Sequence, residues 1–206
     1  MGIPVHPRSY QDKIVKDNPD FDSMELQNYI YTVTQPNLRD LSPNQPWADL
    51  EFTERIYGGG HDNPGHAWKS RADVWRQFLQ ENGKFSYTYD ERMFFQLVPI
   101  IKELRENPDS RQLFMGIWDP YTDVNRLGGV ARVPCTLGYL FQVREGQLHM
   151  TYMMRSSDFS THFQNDVYLA FMLQMYVASK INIPVGRFTH YMGSLHLFRK
   201  DAHGIF

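Results

Sequence analysis

Residues 132–138 read RVPCTLG, and Cys135 is the single cysteine in 206 residues. A thiolate there is a carbon nucleophile, provided positive charge nearby favours it over the thiol. Without that charge, a lone cysteine reads as a small buried hydrophobe. The segment MRSSDFSTHFQNDVY (154–168) offers the charge. Arg155 can grip a phosphate through its planar fork and Ser156 through its hydroxyl. Asp158, Asn165 and Asp166 bring two acids and an amide to the same stretch. Read blandly, these residues are a strand-to-helix loop whose serine and aspartate cap the helix. Residue types alone leave both readings open.

Positioning such groups requires a fold with a real core, and 206 residues is most simply one domain. The chain is 42% hydrophobic and 21% charged, with 14 Phe, 12 Tyr and 4 Trp, so large flat side chains are available for a core and for a pocket that takes flat ligands. A formal net charge of −2 leaves no broad basic surface to hold a nucleic-acid polymer, and any nucleotide bound should be small. One cysteine excludes an intramolecular disulfide, and with no charged-then-apolar leader the expected setting is cytoplasmic. The longest apolar stretch, YLAFMLQMYV (168–177), is interrupted by Gln174 and is about half of what a membrane span needs, which predicts a buried helix and no membrane partner.

Residues 1–47 carry many prolines and little periodicity, predicting an irregular arm that wraps the body. A helix is expected at 50–57, stopped by GGGHDNPG. A second is expected at about 68–81, where Trp68, Ala72, Trp75, Phe78 and Leu79 recur at helical spacing, and a third at 91–108, with Pro99 as a kink or a boundary. The period then becomes two. LFMGIW, TLGYLFQV and QLHMTYMM read as strands, the last two as a hairpin around REGQ. A long helix at about 164–181 and a final strand-like segment, FTHYMGSLHLF (188–198), complete an α+β or mixed α/β layered fold.

RVPCT, then RSSD 20 residues after the cysteine, then Asp166 and GSLHLF (193–198), together resemble the thymidylate synthase superfamily. That superfamily has a proline-cysteine nucleophile, an Arg-Ser-x-Asp loop, an amide or acid eleven residues past the arginine and a Gly-x-x-His strand. NPDSRQ (107–112) resembles its Asn-Pro-Asp-Ser-Arg segment. The likeness covers 107–198 well, 54–89 loosely, and residues 1–50 without a convincing counterpart. It implies a thymidylate synthase-like layered fold over 1–206, a mixed β-sheet packed with helices and a sheet face forming a dimer interface.

The resemblance gives each residue an expected role. Cys135 adds to C6 of a pyrimidine. Arg155 and Ser156 hold the 5′-phosphate, and Arg155 lowers the thiol pKa. Arg111 reaches the phosphate from the other subunit of a homodimer, although Gln112 replaces the usual second arginine. Asp158 receives the pterin of folate and Trp75 packs near its one-carbon unit. Tyr89 orders water, with Asp90 where a glycine is usual. His196 binds a ribose hydroxyl, with Phe198 replacing a tyrosine. The general acid/base is expected at Glu54, in Glu54-Arg55-Ile56-Tyr57-Gly58, with Asp49 and Glu51 as rivals.

Asp166 bears on which base is bound. Uracil offers a C4 carbonyl and an N3 hydrogen, which a carboxamide matches; cytosine offers a C4 amino group and a bare N3, which suits a carboxyl that shares a proton. Thymidylate synthases carry Asn at this position, so Asp166, with Thr136 and QND (164–166), resembles the cytidylate hydroxymethylases of the superfamily. The implied reaction converts dCMP or CMP, 5,10-methylenetetrahydrofolate and water into the 5-hydroxymethyl nucleotide and tetrahydrofolate, with no metal. Such a product is used in phage DNA modification and nucleoside-antibiotic synthesis. The alternatives are a dUMP hydroxymethylase or methylase, and a catalytically degenerate nucleotide-binding dimer.

Overall fold

A computed structural model describes residues 2–203 as a mixed α/β architecture. Seven strands form one sheet: β1 (Ile3–Val5), β4 (Ser23–Val33), β9 (Val185–Phe198), β7 (Gln147–Met154), β6 (Thr136–Arg144) and β5 (Phe114–Gly116) in spatial order, with β8 (Ser157–Asp158) added beside β9. A separate two-stranded hairpin is made by β2 (Ser9–Tyr10) and β3 (Lys13–Ile14). Four α-helices follow in chain order: α1 (Trp47–Tyr57), the single-turn α2 (Ala72–Trp75), α3 (Tyr89–Glu106) and α4 (Phe163–Ile181).

β6 and β7 pair antiparallel around Glu145-Gly146, both left-handed (φ 53° and 71°), the backbone a tight hairpin needs. β7 and β9 run parallel, so the chain must cross back between them, and α4 makes that crossing. Side chains alternate across this sheet. Tyr139, Tyr152 and His190 stand in one cross-strand row, their rings stacked at 4.9 and 4.7 Å, and belong to the buried layer under the helices. Their neighbours Leu140, Thr151 and Thr189 form a row on the opposite face.

The core joins Met93, Leu97, Ile101 and Leu104 of α3 and Ala170, Leu173 and Val177 of α4 to Phe141, Met150 and Phe188 of the sheet. Thr88 and Glu91 close a capping box at the start of α3. α4 ends on Asn182 in the left-handed conformation. Gln174, which interrupts the apolar run, is fully buried and donates to the carbonyls of Leu148 and Arg187 at 2.8 and 3.1 Å, where the parallel register slips.

Three expectations change. The arm is not irregular throughout: residues 23–33 are an eleven-residue strand paired along β9. Its alternation is masked because Asn28 is left-handed (φ 51°), which shifts the apolar side chains from even positions (Met24, Leu26) to odd ones (Tyr29, Tyr31, Val33). The helix expected at 68–81 is broken into a 3-10 turn (Ala67–Arg71), α2 and a second 3-10 turn (Arg76–Phe78). Packing overrides local spacing here: Trp75 stacks on Trp47 at 5.9 Å and also meets Phe78 and Phe85. Pro99 neither ends nor starts α3 but sits on its exposed side while the helix continues.

Candidate active site

Three adjacent strands bring the chemical residues together. Cys135 immediately precedes β6, Arg155 follows β7, and Gly193 lies within β9. The Arg155 N–H donates to the Cys135 carbonyl at 2.8 Å, and the Ser194 N–H donates to the Arg155 carbonyl at 3.1 Å. A Cβ at Gly193 would lie 2.9 Å from that carbonyl, so the close approach of the two strands calls for glycine. β8 then pairs Asp158 with His196. RVPC, RSSD and GSLH, far apart in sequence, thus share one cavity of about 260 Å³.

Of the ten expected site residues, eight line this cavity: Cys135, Arg155, Ser156, Asp158, Asp166, Tyr89, Trp75 and His196. The Arg155 guanidinium donates to the carbonyls of Pro134 (3.0 Å) and Val133 (3.4 Å) and lies 3.9 Å from the Cys135 sulfur. Burial nevertheless raises the thiol above its ordinary pKa, outweighing the opposing pull of Arg155 and, more weakly, Arg132; the Asp166 charge adds to the rise. Arg155 thus acts in the expected direction, and burial outweighs it in the free protein.

Asp158 is 6% exposed and divided in use. Its Oδ1 accepts from the N–H groups of Ser160 and Thr161, both at 3.1 Å, which closes the turn ahead of α4; the expected side-chain cap on the helix itself is not formed, since His162 stands at its N-cap. Asp158 Oδ2 is buried with no hydrogen-bond partner among the described residues. Asp166 lies in the first turn of α4, and burial pushes its carboxyl up to about 7 against the lowering effect of Arg55. Asn165 faces elsewhere, its amide oxygen accepting from the N–H and the side chain of Asn44 at 2.8 and 3.2 Å.

Beneath the nucleophile, hydroxyls form a chain. Tyr89 Oη lies 2.9 Å from Thr136 Oγ1, which lies 2.9 Å from Tyr152 Oη. Burial raises both phenols well above the usual tyrosine value, so both are neutral hydrogen-bonding groups. Arg55 lies 3.7 Å over the Tyr89 ring and donates to Glu51 at 2.8 Å. His196 Nδ1 is 3.4 Å from Ser194 Oγ, and burial lowers its pKa, favouring the neutral ring.

The other two expected residues lie elsewhere. Glu54 lines a side cavity of about 50 Å³ that shares the wall of Arg55, Trp75, Tyr87, Tyr89 and Arg132. Its Oε1 accepts from the N–H groups of His66 (2.5 Å) and Ala67 (2.8 Å), and burial raises its pKa. Glu51 lines the same side cavity, whereas Asp49 lines neither and accepts from Tyr168 Oη at 2.6 Å. Arg111 is exposed and outside both cavities.

Sequence reasoning missed several lining residues. Val5, Pro7, Ser9, Tyr10 and Gln11 of the arm close one side of the cavity, and a hydrogen bond from Gln11 favours the Cys135 thiolate. Arg132 lies within the RVPC motif itself, while Trp47, Arg55, Tyr87 and His162 come from elements whose spacing gave no sign of a pocket. Among the described residues, no group of three or more His, Cys, Asp or Glu could hold a metal ion, and no helix is long and apolar enough to cross a membrane.

Residues 37–205 match the family model for thymidylate synthase. A protein of Methanocaldococcus jannaschii named "Putative thymidylate synthase" is 26% identical over 182 residues, 84% of this chain and 75% of its own length. One of the same name from Methanosarcina barkeri is 32% identical over 123 residues, 57% of this chain and 55% of its own, so the chain spans little more than half of that relative. The solved structure of thermostable thymidylate synthase A from Bacillus subtilis superimposes with a TM-score of 0.71 at 18% identity, covering 86% of this chain and 67% of the other, which is a likeness of fold.

Proposed function

The chain belongs to the thymidylate synthase family of folate-dependent nucleotide-modifying enzymes, and from that premise we propose that it hydroxymethylates C5 of a cytidine monophosphate, dCMP or CMP. The observation that carries this reading is Asp166 in the cavity of Cys135, with a carboxyl poised near pH 7. In its protonated form, which burial favours, that carboxyl can donate to a bare ring nitrogen while its other oxygen accepts from an amino group, the pattern of cytosine at N3 and C4. Against uracil, the ionised carboxyl would set an acceptor against the C4 carbonyl, where a carboxamide donates. The closeness to cytidylate hydroxymethylases rests on this residue.

In the proposed sequence the Cys135 sulfur bonds to C6, and the electron pair at C5 attacks the methylene of 5,10-methylenetetrahydrofolate. Tetrahydrofolate departs as the C5 proton is removed, leaving an exocyclic methylene on the ring. Water adds to that methylene, the C6–sulfur bond breaks, and the 5-hydroxymethyl nucleotide leaves with Cys135 restored. Arg155 and Ser156 hold the phosphate, His196 the sugar, Asp158 the pterin and Trp75 the one-carbon unit, while Tyr89 orders water. Glu54 or Glu51 moves protons from the adjoining cavity. Of the two, Glu51 is joined to the main cavity through Arg55, whereas Glu54 is engaged by backbone N–H groups.

We read the chain as one domain that works as a homodimer. Arg111, exposed in each subunit, would enter the partner's site, with the sheet face that carries Thr151 and Thr189 as the contact. The test is tritium release from C5 of dCMP, CMP and dUMP with methylenetetrahydrofolate, followed by identification of the product. Release from a cytidylate with a 5-hydroxymethyl product is expected. Release from dUMP alone would refute the use made of Asp166, and release from none would favour a nucleotide-binding dimer without catalysis.

A further inference from the structure

Arg132 is 7% exposed and lines the main cavity, yet among the described residues its guanidinium has no ion pair or hydrogen-bond acceptor, and its buried Nε has no partner. The guanidinium is held between rings, 4.8 Å from the Trp75 centroid, 4.7 Å from Phe78 and 5.3 Å from Tyr87. Such contacts offset part of the cost of taking a cation out of water but leave its N–H groups unspent. Arg155 and Arg55, the other arginines of the cavity, already donate to protein acceptors. A buried donor without an acceptor calls for a ligand atom.

The neighbouring unpartnered atoms narrow that ligand. Trp75 Nε1 is a second unused donor, while Asp158 Oδ2 is an unused acceptor on the same cavity. Tyr10 and His162 lie within electrostatic reach of both Arg132 and Asp158, so the two charges border a common space. A flat ring with a carbonyl beside an N–H and an amino group fits between one donor and one acceptor. The oxidised edge of a pterin has that order: a 4-oxo acceptor, then the N3 hydrogen and the 2-amino group.

Resting on the folate reading above, we propose that Arg132 binds the co-substrate by donating to the 4-oxo group of its pterin, opposite Asp158, and so selects an oxo-pterin over a 2,4-diaminopteridine. A 2,4-diaminopteridine differs at two positions, carrying a donor at C4 and no hydrogen on N3, and Arg132 reads the first of them while Asp158 reads the second. A ligand bearing an amino group at C4 would leave the guanidinium without an acceptor and set two donors against each other.

The experiment measures dissociation constants of tetrahydrofolate and of its 2,4-diamino counterpart by tryptophan quenching, with dCMP present and again with dUMP, for the parent, Arg132→Leu and Arg132→Lys. The parent should prefer the 4-oxo ligand by about tenfold to a hundredfold, as expected for a charge-assisted hydrogen bond. Arg132→Leu should lower that ratio by about tenfold, leaving the part that Asp158 sets at N3, and Arg132→Lys should restore some of the loss. Leucine among these rings replaces a buried unpaired cation, so thermal stability should hold or rise, and the lysine variant tests the same point if it does not. An unchanged ratio in Arg132→Leu would overturn the inference alone, as would a loss of nucleotide relative to nucleoside affinity with the pterin ratio intact. Failure of the parent to bind tetrahydrofolate with either nucleotide would overturn the folate reading and this inference with it.

Discussion

Replacing Asp166 by Asn should reverse the choice of base. The carboxyl is half-buried on the cavity wall in the first turn of α4, with its pKa raised to about 7, so its acid form can pair with N3 and the C4 amino group of cytosine together. A carboxamide in the same place pairs with the N3 hydrogen and the C4 carbonyl of uracil. Each mismatched buried polar pair costs about 1–3 kcal/mol, so two pairs are worth about 2–6 kcal/mol. The ratio of kcat/KM for dCMP over dUMP should then fall by about 30-fold to 10⁴-fold, a tenfold change being about 1.4 kcal/mol. Competition between the two nucleotides, each labelled with a different isotope at C5, reads that ratio directly. In the parent, dCMP turnover should also weaken as pH rises through about 7 and the acid form is lost, while the Asn variant should lack that limb. An unchanged ratio in the variant would refute the reasoning, whatever happened to the absolute rates.

The same substitution carries a stability signature. The folded-state pKa of Asp166 lies near 7 against an ordinary 3.8, so the folded protein holds the proton more tightly and loses stability as pH rises between those values. At 1.36 kcal/mol per unit this is at most about 4 kcal/mol, and less for a side chain with some access to water, so Asp166→Asn should flatten the pH dependence of Tm between 4 and 8. Alkylation of Cys135 by iodoacetamide in the free protein should have its midpoint above the ordinary thiol value of 9.0, and Gln11→Ala should move it higher; a midpoint below about 8 would contradict the burial argument. Glu54→Ala should cost about 2 kcal/mol of stability because two N–H groups lose their acceptor. Glu51→Gln should instead lower kcat with little change in chemical denaturation, and equal behaviour of the two variants would undo the division of roles drawn between them.

The sheet from β5 to β9 was legible because its strands alternate cleanly and its helices are long, apolar and well punctuated. The grouping of RVPC, RSSD and GSLH is legible through the resemblance to the thymidylate synthase superfamily, and the backbone pairings that unite them appear only in the folded sheet. β4 was hidden by one left-handed residue, Asn28, which shifts a period of two by one place. The segment 67–78 differs from its helical spacing because three short turns carrying Trp68, Trp75 and Phe78 also satisfy that spacing; what separates them is stacking of Trp75 on Trp47, a contact between residues far apart in sequence. Tyr10, Gln11 and Arg132 carry no local pattern that marks a pocket. They become visible only where the arm folds across the cavity and a guanidinium is left without an acceptor.

The most direct test traps the nucleophile on its substrate. With 5-fluoro-dCMP and methylenetetrahydrofolate, the fluorine at C5 cannot be removed as a proton is, so the adduct should stall with the Cys135–C6 bond intact. Mass spectrometry of the denatured protein should then find nucleotide and folate masses together on the peptide containing Cys135. A stalled adduct formed only with 5-fluoro-dUMP, or a Cys135→Ser protein that still converts nucleotide at the parent rate, would contradict the account.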